Sequence, residues 1–255
     1  MKKVLIVVLV LFSVSLYAAV PKNSMLENGL KFLGVPYVAH TLEVNSPRES
    51  LVVNLKQVDC TTFVEYVLAR SLCNNPNDEA QFEDRLQMIR YRDGIIDGYT
   101  SRLHYSTEWV MNGLKHGYLT DVAAAYSKDT TTVHVSFMST HPDKYIQLKD
   151  SPVDVAKIAQ KERELSGKIV HYIPREKLPV KGFKWIHDGD IILLVTNMTG
   201  LDNSHLGIAI YRNGELHLLH ASSLDMKVKI QEEPLREQLM KRKGCLGIRV
   251  VRMKK

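Results

Sequence analysis

Ser204-His205-Leu206-Gly207-Ile208-Ala209-Ile210-Tyr211-Arg212-Asn213-Gly214-Glu215-Leu216-His217-Leu218-Leu219-His220-Ala221-Ser222 is the stretch that decides the fold. Two apolar runs flank Asn213-Gly214, the strongest two-residue hairpin signal, because a type I′ turn needs positive φ at both central positions. The turn pairs Arg212 with Glu215, which sets His205 opposite Ser222, Gly207 opposite His220 and Ala209 opposite Leu218. Opposed residues share a face, so His205 and His220 are diagonal neighbours on one side, within ring-to-ring reach. A three-residue loop would break this parity. The rest of that face, Gly207, Ala209, Leu216 and Leu218, is small or apolar, as expected where a helix packs closely on a sheet.

The helix expected there is Asp59-Cys60-Thr61-Thr62-Phe63-Val64-Glu65-Tyr66-Val67-Leu68-Ala69. Asp59 is a good N-cap. Cys60, Phe63, Val64, Val67 and Leu68 form one apolar stripe, so Cys60 sits in the first turn on the buried-facing side. Working outward, further helical patterns run over 26–33, 78–92, 106–118 and 153–165. Gly34-Val35-Pro36-Tyr37 reads as an extended turn. From Gly189 onward the chain turns to strands, at 190–196, 204–211, 215–221, 226–232 and 246–252. Helices first and strands last indicate an α+β fold, a mostly antiparallel sheet with the Cys60 helix packed on it. No internal repeat or low-complexity tract interrupts the pattern.

The N-terminus has a different character. Met1-Lys2-Lys3, the apolar run from Val4 to Leu16 and then Tyr17-Ala18-Ala19 have the layout of a secretory signal peptide cleaved after Ala18 or Ala19. The run is shorter than the roughly 20 residues of a spanning helix, and no cysteine follows it to carry a lipid. The expectation is residues 1–19 as leader and 20–255 as one exported domain, periplasmic or extracellular, without a membrane span and monomeric. Net charge is +6 over the 255 residues, about +4 without Lys2 and Lys3. Lys241-Arg242-Lys243 suits an anionic partner, but no basic helix interleaved with aromatics points to nucleic acid.

Three cysteines leave at least one thiol unpaired in an oxidising compartment. On one helix, Cys60 and Cys73 would lie about 20 Å apart, beyond the roughly 7 Å a disulfide spans. Cys73 with Cys245 stays open as a pair, which would leave Cys60 as the free thiol.

A thiol at a helix N-terminus against a histidine pair is an arrangement that chemistry can use. The thiolate is the nucleophile, and the helix terminus and an adjacent imidazolium both lower the thiol pKa. A third polar group orients the imidazole, and free N–H groups at the helix start can hold an oxyanion. The blander readings are a small buried hydrophobe for Cys60 and hydrogen-bonded strand residues for the histidines, which is the reading for His171 and His217. A Cys/His/His zinc site with an open position is a further alternative.

At these residues the sequence resembles the NlpC-type, papain-like cell-wall cysteine peptidase superfamily. The matching elements are Pro36-Tyr37, Asp59-Cys60, Gly189-Asp190, His205-Leu206-Gly207-Ile208 and His220-Ala221-Ser222. More closely it resembles the N-acetylmuramoyl-L-alanine amidase-like family, through GVPYVAHTLE, VNLKQVDCTTFVEYVLAR, YTSRLHYSTEW, FMSTHPDKY, HDGDIILLVTN and SHLGIAIY. The resemblance implies Cys60 as nucleophile, His205 as general base, His220 as orienting residue and Tyr37 beside the nucleophile. It implies peptidoglycan or a muropeptide as substrate, and no metal or organic cofactor. The bond expected to be cut joins N-acetylmuramic acid to L-alanine; a γ-D-glutamyl–diamino-acid endopeptidase and a non-catalytic wall-binding module are the alternatives. Compact superfamily members place cysteine and histidine much closer in sequence, so residues 74–185 read as a mainly helical insertion shaping the groove. Within it Ser101, Arg102, His104 and Tyr105 are the candidate substrate contacts, with Asp59 beside the nucleophile. Arg102 can clamp a carboxylate or serve as an ordinary structural ion pair.

Overall fold

The computed structural model describes residues 24–44, 46 and 48–254; the leader expected at 1–19 lies outside them. In chain order the elements are α1 Met25–Leu30, α2 Cys60–Leu72, α3 Glu79–Arg90 and α4 Ser106–Lys115. There follow β1 Leu119–Asp121, α5 Val122–Tyr126, β2 Thr130–Thr132, α6 Phe137–Thr140, α7 Ile146–Lys149, α8 Pro152–Leu165, β3 Ile169–His171 and β4 Ile173–Pro174. The C-terminal part supplies β5 Ile191–Thr196, β6 Asn203–Arg212, β7 Glu215–Ser222, β8 Lys227–Ile230, α9 Leu235–Lys241 and β9 Cys245–Met253.

The main sheet runs β1-β9-β5-β6-β7-β8, with β4 also paired to β9, and every pairing in it is antiparallel. The region 74–185 is mainly helical, but it also lends β1 and β4 to this sheet, so it is stitched to the core through β9. Strands of two or three residues are too short to announce themselves by alternation. Among the described residues no helix is long and apolar enough to cross a membrane.

Helix α2 starts where its cap dictates. Asp59 Oδ1 accepts the Thr62 N–H at 2.7 Å, and Thr62 Oγ1 accepts the Asp59 N–H at 2.9 Å, a reciprocal capping box. The helix is buried on more than its stripe, because Tyr66 and Ala69 are as inaccessible as Phe63, Val64, Val67 and Leu68.

The hairpin has the register read from its turn, with Arg212 opposite Glu215, Ala209 opposite Leu218 and Ile208 opposite Leu219. The covering of its faces differs from expectation. Helix α2 packs with Leu206, Ile208, Ile210, Leu219 and Ala221, the face opposite to that of His205 and Gly207. Ala209, Leu216 and Leu218 are covered instead by Leu178, Ile186, Leu235 and Leu239. Both faces are buried along β5 and much of β6, so apolar pattern alone does not say which one receives the helix.

Gly207 does allow a close approach, but of its own partner strand. A Cβ there would meet Leu219 O at 2.8 Å and His220 Cβ at 2.9 Å. We expect Gly207→Ala to cost about 1–3 kcal/mol through overpacking, read as a lower urea midpoint with unchanged slope; an unchanged midpoint would refute the contact.

Candidate active site

The ladder between β6 and β7 ends at Ile208 opposite Leu219. Ala209 exchanges both backbone bonds on the β5 side, with Gly189 and Asp190, so by alternation the Leu206 N–H points toward β7. Beyond the end of the ladder it faces the sulfur of Cys60, near enough to lower the thiol pKa. That N–H belongs to the peptide joining His205 to Leu206, which fixes the nucleophile candidate against the backbone of the histidine candidate. The helix and the histidines thus meet at the strand itself, although their side chains belong to opposite faces.

On the other face His205 Nε2 and His220 Nδ1 are 2.7 Å apart, with the rings edge to face at 4.9 Å. Both are buried, at 8% and 2% exposure. Because Nε2 of His205 is committed to His220, Nδ1 is its remaining ring nitrogen, and it makes no hydrogen bond among the described residues.

Electrostatics give this site a neutral resting state. Burial first, then the Asp59 carboxylate, push the Cys60 thiol up to about 11, against the opposing effect of the nearby Leu206 N–H, the Thr61 side chain and its own backbone. The sequence expectation of a depressed thiol is corrected here: desolvation outweighs the helix terminus, and no imidazolium is at hand. His205 is held well below the usual imidazole range by burial, then by His220 and the Arg242 guanidinium. His220 is lowered to about 4, by burial first and then by Arg242.

A groove of about 360 Å³ opens beside Cys60, and Tyr37, His40, Glu43, Arg102 and His104 are among its lining residues. Tyr37 is close enough to the thiol and to Asp59 for both to raise its hydroxyl pKa, after burial. Its position follows from a bridge between Tyr37 and Val58, just before the helix cap. Asp59 lines the same groove while capping α2.

The Ser101–Tyr105 candidates divide. Arg102 grips Glu49 through Nε at 2.7 Å and Nη2 at 3.0 Å and also faces Glu43 at 3.6 Å. Its fork is therefore already taken by this chain's own carboxylates, the structural ion-pair alternative. His104 lines the groove, bonded to Tyr99 O at 3.0 Å and driven to about 3 by burial. Ser101 and Tyr105 are not among the groove residues: Ser101 bonds Asp97 and Gly98 in a local turn, and Tyr105 donates to Glu162 at 2.6 Å. Sequence reasoning missed the buried pair of Arg90 and Glu65, 2.7 Å apart under the groove; a glutamate inside the otherwise apolar run of α2 was its signal.

His217 bonds Gln231 O and His171 bonds Ser127 O, as ordinary structural histidines. Cys73 and Cys245 form no disulfide. They lie in different core clusters, Cys73 with α2 and Cys245 with β9 on the other side of the sheet. Among the described residues no group of three or more His, Cys, Asp or Glu side chains is arranged to hold a metal ion.

Comparison with known proteins decides the family. Residues 27–248 match the family described as AmiA-like, N-acetylmuramoyl-L-alanine amidase-like. The chain belongs to that family. An N-acetylmuramoyl-L-alanine amidase from Bacteroides uniformis is 53% identical, with a TM-score of 0.90 over 91% of this chain and 100% of that one. A Bacteroides fragilis structure described as a candidate xylanase is 54% identical, with a TM-score of 0.88 over 89% of this chain and 100% of that one. A Legionella pneumophila protein, 22% identical with a TM-score of 0.72 over 91% of this chain and 89% of that one, shares the fold. No curated protein matches. This amidase-like chain thus combines a mixed α/β fold with antiparallel sheet and a family of peptidoglycan hydrolases.

Its thiol should titrate late. Iodoacetamide alkylation of Cys60, measured against Cys60→Ala as blank, is expected to keep accelerating past pH 9 toward a midpoint near 11. Asp59→Asn keeps a capping side chain and removes the charge that raises the thiol pKa, so its profile should move to lower pH. A wild-type plateau below pH 9 would contradict the neutral resting state.

Proposed function

We propose that the chain is a cysteine-dependent amidase that cuts the bond between N-acetylmuramic acid and L-alanine in exported peptidoglycan or muropeptides, on an NlpC-type core. The observation that carries this reading is the approach of the His205–Leu206 peptide to the Cys60 sulfur, at a groove that Cys60 lines, with a buried histidine pair across the strand.

In this mechanism the thiol stays protonated until substrate arrives. As the sulfur attacks the amide carbonyl, its proton passes to His205 Nδ1. The oxyanion is held at the start of α2, where the cap takes the Thr62 N–H and the N–H groups of Cys60 and Thr61 have no partner within the helix. His205 then gives the proton to the departing amine, leaving a thioester on Cys60. Water, deprotonated by His205, attacks the thioester and restores the thiol. Burial of the histidines matches this sequence, since a neutral imidazole is available as base well below neutral pH.

A glycosidase reading would require two carboxyl groups flanking a glycosidic oxygen. The carboxylates of the groove are otherwise engaged: Asp59 caps α2, Glu65 is tied to Arg90 and Glu43 faces Arg102. The cysteine mechanism leaves them in those roles. The chemistry at Cys60 does not distinguish a lactyl from a γ-glutamyl carbonyl, so selectivity rests with the groove and the 74–185 region beside it.

Digestion of a purified muropeptide tests the bond. Mass spectrometry should find the muramyl sugar and a stem peptide with a free L-alanine amino terminus. Cys60→Ala should lower turnover by at least about 1,000-fold, in the range expected on removing a nucleophile. A muramyl dipeptide together with a peptide beginning at the diamino acid would replace the amidase by an endopeptidase; xylan hydrolysis that survives Cys60→Ala would overturn the cysteine reading.

A further inference from the structure

The histidine pair extends one residue further. Strand β8 pairs with β7 so that His220 lies opposite Lys229 and Leu219 opposite Ile230. The next residue, Gln231, continues that register by donating its N–H to Leu218 O at 2.9 Å. Its carbonyl accepts from His217 Nδ1 at 3.0 Å, which pins its backbone to β7 a second time. Residues opposite one another share a face, so Gln231 stands on the face of Leu218 and His220. It is the diagonal neighbour of His220, as His220 is of His205. The three side chains form a slanting row across β6, β7 and β8.

His220 Nε2, on the far side of the ring from His205, is buried and makes no well-formed hydrogen bond. The charged groups that face His220 are Arg242 and Lys229, which only donate, and Asp225, whose carboxylate is engaged by Ser222 and Lys229. Gln231 is a further neighbour with an acceptor, and its side chain is near enough to raise the pKa of His220.

The tautomers are linked along this row. For His205 Nδ1 to take a proton, His205 must carry its hydrogen on Nε2 and give it to His220 Nδ1. His220 must then carry its own hydrogen on Nε2. In the opposite arrangement His220 donates to His205, and His205 Nδ1 is already protonated and inert as a base. We propose that Gln231 is a positioning residue whose side-chain carbonyl accepts the His220 Nε2–H and so selects the tautomer in which His205 is a base. This rests on the assignment of His205 as general base.

The tautomers can be read without turnover, by long-range ¹⁵N–¹H correlation on the intact protein. Wild type should show His220 as the Nε2–H form, and Gln231→Met should lose that form or mix the two. Gln231→Met should also lower kcat by at least about 10-fold with little change in KM, the scale of a misaligned general base. Gln231→Glu can only accept, so it should stay within a few-fold of wild type. Its carboxylate favours the imidazolium, so the acid limb of kcat should move to higher pH. Wild-type His220 found as the Nδ1–H form overturns the proposal, whatever the activity. Equal loss in Gln231→Met and Gln231→Glu with an unchanged tautomer would also overturn it, by making Gln231 a packing residue. If instead the tautomers respond as stated while His205→Ala keeps full turnover, the row stands and the general-base assignment falls.

Discussion

The two halves of the candidate site meet where one backbone N–H, that of the peptide between His205 and Leu206, faces the Cys60 sulfur. A backbone donor must be satisfied when buried, and here the ladder between β6 and β7 ends at Ile208 and Leu219. The Cys60 sulfur lies in front of that donor, which lowers the thiol pKa. Helix α2 begins at that point because of its own reciprocal cap at Asp59 and Thr62, and nearly every residue in the turns that follow is buried. Gly207 completes the constraint, since no side chain fits between β6 and the crossing β7.

The same burial sets the chemistry. Desolvation penalises charge whichever its sign, raising the thiol and lowering both imidazoles. A preformed thiolate–imidazolium pair would have to overcome that penalty before substrate arrives. A neutral pair defers charge separation to the moment when the oxyanion donors can share it. Arg242 reinforces the choice, because a guanidinium near both histidines opposes their protonation.

Much of this was legible in the residues. Asn213-Gly214 settles the hairpin register and hence the contact of His205 with His220, because turn geometry alone determines which residues oppose each other. Asp59 marks the start of α2, since capping is local. The face covered by α2 was not legible: both sides of β6 are apolar, and the choice depends on which distant segment, 178–186 or 60–72, arrives on which side. The sign of the thiol shift was hidden for a related reason, as desolvation is a property of the assembled fold. Arg102 and Tyr105 likewise found their partners, Glu49 and Glu162, at separations no local pattern reveals.

In the proposed cycle Cys60 becomes covalently acylated. Rapid acid quench of the enzyme turning over a muramyl peptide, followed by tryptic mapping, reads this directly on the peptide Gln57–Arg70. This peptide should gain the mass of the N-acetylmuramoyl group as a thioester, which hydroxylamine removes. An acyl adduct on a residue other than Cys60 would contradict it.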